Sequence, residues 1–600
     1  MDYTLKILLL RLWKQVDKKR RRQLFFFAML MIFSSFAEVI SIGAVLPFLS
    51  ILTNPETIFT SKYAKPFIQI FQIESAENLL LPITIIFVIA LLLSGLFRFL
   101  LLWTQTRLCF AIGAQYSIGI YRRTLYQPYT AHISRNSSQI ISSISNKANE
   151  VTSQVLMPIL TIISSLFMLI MILSALIVVN PFISIISVAG FGSIYLIIIK
   201  VVKKRLIKNS IIISQESNKV IKALQEGLGG IRDVLIDGTQ ETYCKYYENS
   251  DIPLRKAKAN INIMSGSPRF GIEALGMILI VLLSYSLASK SENFATVIPI
   301  IGVLVLGAQR MLPVLQLAYS SWTSILGSRE SLKECLDILD TPLPKIFDRN
   351  NCQILKFENQ IRLHDVSFNY LKNSTRVLKN VNLTIRKGSI TGIIGTTGSG
   401  KSTLLDIIMG LIEPTQGDFF IDDLKINTFN CREWQRQLSH VPQHIFLSDN
   451  SIAENIAFGI PLEEIDLNRV KHAARKAQIF DTIEELEDKY HTKVGERGIK
   501  LSGGQRQRIG IARALYKESN VIIFDEATSA LDNETENNVM ESIENLGNNL
   551  TIIIVAHRLT TLKKCDQIIV LKEGTVDSIV KYDELDKHFV GSGAIILMVK

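Results

Sequence analysis

Apolar residues in this chain follow two rhythms. In the first half they form long runs at about 24–52, 79–104, 156–179, 181–201, 264–289 and 294–318. Each run supplies the roughly 20 mainly apolar residues a helix needs to cross a bilayer. Only Asn180-Pro181 separates the third run from the fourth, which predicts a tight external turn. Long polar stretches of helical character join the second run to the third and the fourth to the fifth, as cytoplasmic extensions. The loop at about 53–78 has apolar residues at roughly helical spacing apart from Pro66. It fits either a segment lying in the outer interface or a cover over helix ends. Ala223–Ile236 places Gly227, Gly229 and Gly230 on an otherwise amphipathic helix, a surface suited to close packing against another subunit. From about residue 355 the rhythm changes to short apolar strands, turns and short helices, the pattern of an α/β domain. Arg362–Phe368 and Val381–Ile385 read as its early strands. The expected fold is therefore a membrane α-helical bundle of six transmembrane helices fused to an α/β domain. The expected boundaries are 1–340 for the bundle, 341–354 for a linker holding Pro342 and Pro344, and 355–600 for the α/β part.

Composition agrees with this division. Of the 600 residues 48% are hydrophobic, and the mean hydropathy of +0.27 is too high for an ordinary soluble protein of this size. The net charge of +11 is not spread as a nucleic-acid groove would require, and no nucleic-acid partner is expected. Lys18, Lys19, Arg20, Arg21 and Arg22 precede the first run, and Lys200, Lys203, Lys204, Arg205 and Lys208 follow the fourth. That distribution places both ends of the chain on the cytoplasmic side of an even number of spans. The basic amphipathic lead-in 1–23 has no small-residue cleavage site after it and is expected to be uncleaved. The six cysteines show no metal-ligand spacing and are expected to be reduced.

The candidate chemistry lies in the second half. Gly395-Thr396-Thr397-Gly398-Ser399-Gly400-Lys401-Ser402 fits the phosphate-binding pattern GxxxxGK[ST]. It follows an apolar strand and opens a helix beginning Thr403-Leu404, the setting in which that pattern carries meaning. Its glycines let backbone N–H groups turn toward phosphate oxygens, and the helix N-terminus adds its positive dipole end. Lys401 can reach the β- and γ-phosphates and the Ser402 hydroxyl a Mg²⁺ ion, so ATP and Mg²⁺ are the expected cofactors. Tyr370, between the early strands, is a candidate to stack on adenine. The strand Val521–Phe524 ends in Asp525, a Mg²⁺ candidate, and Glu526, placed to polarise an attacking water. Leu501-Ser502-Gly503-Gly504-Gln505 opens a further helix whose N–H groups can meet a γ-phosphate. Gln443, after Val441-Pro442, is a third metal candidate, and His557 can position the water.

In this order and spacing the set resembles the ATP-binding cassette (ABC) transporters over essentially the whole chain. Leu501–Gln505 with Arg506, Gln507 and Arg508 is similar to the family signature loop. Ser529–Asp532 is similar to its D-loop, and Val494–Gly498 to the exporter loop that meets the coupling helices. The resemblance implies a half-transporter in which the signature loop of one cassette closes on ATP held by the other. With Lys401, Glu526, Ser502 and His557 all present, a second identical chain is the expected partner. One departure is Val580, where the family's closing pattern has glycine; it puts a local turn in question.

An ionisable residue inside a span is costly and is a functional candidate. Arg98, Arg269 and Arg310 fall in the second, fifth and sixth spans, all about 24–30 Å below the outer ends of their helices at ~1.5 Å per residue. Together they can line a cavity for an anionic headgroup; alternatively each snorkels to the inner interface or pairs with an acid such as Glu273. Glu38 is either part of the cavity or a buried partner. With the start Ser34–Phe48, the pattern resembles the lipid-linked oligosaccharide flippases of bacteria. This resemblance implies ATP-driven flipping of an anionic glycolipid, such as a polyprenyl-pyrophosphate glycan, across the bacterial inner membrane. A multidrug or lipid A exporter shares every cassette motif. A peptide exporter is disfavoured because no peptidase domain precedes the first run, and the spans disfavour a soluble cassette ATPase.

Overall fold

The computed structural model describes residues 5–53, 59, 77–179, 181–290, 294–343, 355–370, 375–526, 533–544, 550–556 and 559–589. The loop at 53–78, His557 and Ser529–Asp532 therefore lie wholly or almost wholly outside the described residues. Packing divides the chain into two compact units, one of Met1–Gln127 with Ser134–Leu343 and one of Pro128–Ile133 with Pro344–Lys600.

The first unit is helical: α1 (Leu5–Lys14), α2 (Lys18–Gly43), α3 (Val45–Thr53), α4 (Leu80–Leu125), α5 (Met157–Val179), α6 (Pro181–Gly229), α7 (Gln240–Lys290), α8 (Phe294–Gly327) and α9 (Arg329–Leu339). Among the described residues, Lys18–Ser41, Leu80–Leu125 and Ser137–Ala175 are each long and apolar enough to cross a membrane. Helices α4, α6 and α7 are 46, 49 and 51 residues long, which at ~1.5 Å per residue is more than twice the bilayer core. The polar stretches between apolar runs are thus continuations of the same helices. Two runs differ from the expected single helices. Residues 24–52 break after Gly43, because Pro47 lacks the N–H that would bond the Gly43 carbonyl. Ala223–Ile236 breaks at Gly230, with a short helix Ile231–Ile236 beyond it.

Buried contacts tie the polar extensions together. Leu8 and Leu12 of α1 pack with Ile112 of α4 and with Leu332 and Leu336 of α9. Arg11 pairs with Asp337 at 2.7 Å and Asp340 at 2.6 Å. Lys147, only 1% exposed, pairs with Glu334 of α9 and donates to Ser214 of α6 at 3.1 Å. A buried ammonium is tolerated only with such partners.

The second unit holds ten strands among the described residues: β1 (Gln360–Phe368), β2 (Leu378–Arg386), β3 (Ile390–Gly395), β4 (Gln416–Ile421), β5 (Leu424–Lys425), β6 (Leu438–Val441), β7 (Val521–Asp525), β8 (Thr551–Val555), β9 (Gln567–Lys572) and β10 (Thr575–Val580). An antiparallel sheet runs β2-β1-β4-β5 and a larger one β10-β9-β3-β8-β7-β6. β7 and β8 are near-continuous apolar runs because both their faces are covered, whereas β2 alternates buried and exposed positions. β3 pairs in parallel with β8 and β9, and β7 with β8 and β6. The C-terminal ends of β3, β6, β7 and β8 therefore share one sheet edge, where open α/β sheets place ligands. Trp434 is fully buried beneath helix α10 (Lys401–Ile408), its indole N–H donating to the Ile408 carbonyl at 2.7 Å. Val580 is the last residue of β10, paired with Ile568 and buried. A strand end rather than a turn stands there, so the missing glycine costs nothing.

Candidate functional site

The phosphate loop leaves the C-terminal end of β3 and enters α10 through Gly400, the N-cap, at φ 100°. Gly398 lies at φ 82°; both angles fall in the left-handed region that glycine tolerates without strain. A side chain at Gly395 would meet the Leu571 carbonyl oxygen at 2.4 Å, so the loop's first turn also requires glycine. Thr396 and Thr397 are exposed, while Ser399 is buried with its hydroxyl unpartnered. An orphaned buried hydroxyl inside a ring of turned backbone is what a phosphate oxygen would satisfy.

Lys401 lies 8% exposed, with its ammonium donating to the carbonyls of Gly395 at 2.8 Å and Thr396 at 3.2 Å. The side chain thus spans the mouth of its own loop. Burial lowers its pKa from the ordinary ammonium value, against the pull of Glu526 and Asp525. Ser402 is exposed beside it, and Thr403 is buried and bonded through its hydroxyl to that of Tyr370 at 3.1 Å. Tyr370 stands edge-on to Phe368 and remains 45% exposed, so the ring has a free surface next to α10.

β7 carries Asp525 and Glu526 to the same edge. Glu526 has φ 51°, an uncommon angle for a residue with a Cβ, and its N–H donates to the Val555 carbonyl of β8 at 3.1 Å. Its carboxylate Oε2 accepts a hydrogen bond from Gln443 Nε2 at 2.6 Å. β6 pairs with β7 as Val441 to Phe524, and that register delivers Gln443 to Glu526. Sequence reading places Gln443 on the metal; the structure adds its bond to the acid, leaving the amide oxygen as an acceptor. Ser402, Gln443 and Asp525 offer a hydroxyl, an amide and a carboxylate, the hard oxygen donors that Mg²⁺ prefers.

Sequence reasoning missed Asp406, one turn into α10. Burial, then the charge of Asp525, raises its carboxyl from 3.8 to about 6. Only the apolar context of Leu404, Leu405, Ile407 and Ile408 could have flagged it.

The signature segment opens helix α11 (Gly503–Tyr516). Ser502 is its N-cap: the hydroxyl accepts from Gln505 N–H at 3.2 Å, and Gln505 Oε1 accepts from Ser502 N–H at 2.8 Å. Gly503 and Gly504 thus begin the helix with free-facing amides. No hydrogen bond among the described residues joins Ser502, Gly503, Gly504 or Gln505 to the phosphate loop.

In the membrane unit, two of the three candidate arginines converge. Glu38 of α2 is 1% exposed, and its Oε1 pairs with Arg98 of α4 and with Arg310 of α8 at 3.1 Å. Ser94 donates to its other oxygen at 2.5 Å. Arg269 instead pairs with Glu273 on its own helix at 2.7 Å. Two guanidinium groups against one carboxylate leave one positive charge in excess in the cluster. The five described cysteines, Cys109, Cys244, Cys335, Cys431 and Cys565, are free thiols, and no cluster of three or more His, Cys, Asp or Glu side chains placed to hold a metal occurs among the described residues.

The chain matches two family models, "ABC transporter" over residues 378–529 and "ABC transporter transmembrane region" over residues 23–309. It is 34% identical to the heterocyst differentiation ATP-binding protein HepA of Nostoc sp., over 64% of this chain and 62% of that protein. It is 38% identical to the alpha-hemolysin translocation ATP-binding protein HlyB of Escherichia coli O157:H7, over 47% of this chain and 39% of that one. These two matches span less than two thirds of the relatives' own length. An ATP-dependent lipid A-core flippase of Methylococcus capsulatus is 28% identical over 87% of this chain and 86% of that protein. A solved structure of a bacterial Atm1-family ABC exporter with ATP bound superposes with a TM-score of 0.77 at 21% identity, covering 97% and 98% of the two chains, a likeness of fold.

Proposed function

Because the chain belongs to the ABC transporter family of ATP-hydrolysing membrane proteins, we propose that it exports an anionic lipid or glycolipid, working as a dimer of identical chains. The loop Gly395–Ser402 would hold the nucleotide's phosphates, with Lys401 swinging from its own loop carbonyls to the phosphate oxygens. Glu526 would take the developing proton of the attacking water, its carboxylate held in place by Gln443. Ser402, Gln443 and Asp525 would hold Mg²⁺, which neutralises charge on the transferring phosphoryl group. The Ser502 helix start, satisfied internally by its capping box, would present Gly503 and Gly504 amides to nucleotide on the second chain. His557 would assist from the end of β8.

The observation that carries the substrate class is the Glu38–Arg98–Arg310 cluster. Guanidinium groups bind phosphate in a bidentate way and do not titrate away. The excess positive charge, doubled in a dimer, favours a phosphorylated headgroup, and the internal carboxylate would hold the arginines until such a headgroup competes for them. A polyprenyl-pyrophosphate glycan fits this chemistry. Lipid A is the second reading, favoured by the 28% identity to a lipid A-core flippase along most of both chains. ATP hydrolysis in liposomes, titrated with each lipid and with a cationic drug, tests the proposal. Stimulation by the pyrophosphate lipid is expected; stimulation by the drug alone would overturn the anionic class.

A further inference from the structure

A second cationic site lies apart from the Glu38 cluster. Helices α2 and α4 run antiparallel, since Glu38 meets Arg98 while Phe27 packs with Leu108. Where the basic run enters α2, the two helices splay around a cavity of about 310 Å³. At its polar end stand Arg20 and Gln23 from α2 and Arg107 from α4; toward the membrane its walls are Phe26, Leu30 and Trp103. The spacing explains this. Arg20, Gln23 and Leu30 recur at helical intervals on one face of α2, and Trp103 and Arg107 are one turn apart on α4.

The arginines are held but not neutralised. Arg20 donates to Gln23 Oε1 at 2.8 Å and Arg107 lies over the Trp103 ring at 5.8 Å. No carboxylate lines the cavity, and among the described residues neither arginine forms an ion pair. Its neighbour Arg21 is committed elsewhere, donating to the carbonyls of Val16 and Trp13 at the end of α1. Within the basic run, Lys19 and Arg22 face solvent, and Arg20 alone turns into the cavity. Basic pockets between helices at a membrane surface select anionic lipid headgroups, and the volume lies near the lower limit of ligand pockets, roughly 300 Å³.

We propose that this cavity binds the phosphate headgroup of an anionic phospholipid, its acyl chains lying along Phe26, Leu30 and Trp103. The site does not depend on what the transporter exports. Native mass spectrometry of the purified full chain, titrated with phosphatidylglycerol, phosphatidylcholine and inorganic phosphate, is the test. Tight retention of phosphatidylglycerol is expected, weakened about a hundredfold in Arg20→Gln/Arg107→Gln, from ~1.5 kcal/mol for each charge-assisted hydrogen bond to the phosphate that is lost. Lys19→Gln/Arg22→Gln removes the same charge outside the cavity and should change retention less than twofold. Phe26→Ala keeps both charges and the Arg107–Trp103 contact and should weaken retention of the lipid while leaving any phosphate binding unaffected. Equal losses in the two double variants would reduce the effect to surface charge and overturn the site. Competition by millimolar inorganic phosphate as strong as by phosphatidylglycerol would make it a free-anion site and overturn the lipid assignment.

Discussion

The two units both bring distant charged residues together, but under different constraints. In the cassette, Lys401, Gln443 and Glu526 arrive from the ends of three parallel strands, and the partner proposed for them is a triphosphate of fixed shape. In the membrane unit, Glu38, Arg98 and Arg310 arrive from three helices, and they meet one another. A fixed ligand dictates residue types and spacing along the chain. A charge cluster between helices needs only that three positions share a depth, so the chain offers no motif for it. The cassette is therefore specific about its chemistry, while the membrane cluster is specific only about charge.

The comparison breaks most easily at Glu526. Glu526→Gln keeps the Gln443 contact sterically possible but removes the proposed base, so hydrolysis should fall by about 10²–10⁴-fold while ATP binding persists. Phosphate release and nucleotide retention measure the two; near-normal turnover would remove Glu526 from the catalytic role. In the membrane unit the corresponding break is Glu38→Gln. It leaves the Arg98 and Arg310 guanidinium groups, 40% and 34% exposed, without their carboxylate, a loss of about 1–3 kcal/mol once that exposure screens them. The membrane unit should melt several degrees lower with the cassette transition unchanged, and affinity for anionic lipid should rise because the internal competitor is gone. A fall in both stability and lipid affinity would make Glu38 part of the binding surface instead.

A smaller effect sharpens the cassette side. The Asp406 carboxyl, raised from 3.8 to about 6 in the fold, carries a cost that is fully present above pH 6 and is relieved as pH falls through 6 toward 4. Partial exposure screens it, so the cost is ~1–2 kcal/mol at most. Asp406→Asn should therefore raise the Mg²⁺-free cassette's melting temperature by a few degrees at pH 8, and the gain should fall to about half by pH 5 and largely disappear only below about pH 4. A gain independent of pH would assign it to packing.

Much of this was legible in the chain. The apolar runs marked the helices, and the strand–loop–helix around Lys401 marked the loop proposed to hold nucleotide, because both follow from periodicity and from the spacing a ligand of constant geometry would demand. Three things were not. The Gly43 break depends on a hydrogen bond missing four residues before Pro47. The Gln443–Glu526 bond depends on the register of β6 against β7. The pairing of Arg98 and Arg310, but not Arg269, depends on where α2 sets Glu38, and Arg269 has its own acid one turn away. Register and helix rotation are tertiary facts, and residue spacing carries little of either.

An anionic substrate held at the Glu38 cluster is tested by translocation in proteoliposomes by the wild-type chain and by Arg98→Ala/Arg310→Ala. Polyprenyl-pyrophosphate glycan and lipid A would be loaded in the cassette-facing leaflet. ATP-dependent transfer of the anionic lipid is expected for the wild-type chain and its loss in the double variant, with nucleotide affinity retained. Undiminished transfer by the double variant would contradict an anionic substrate held at the Glu38 cluster.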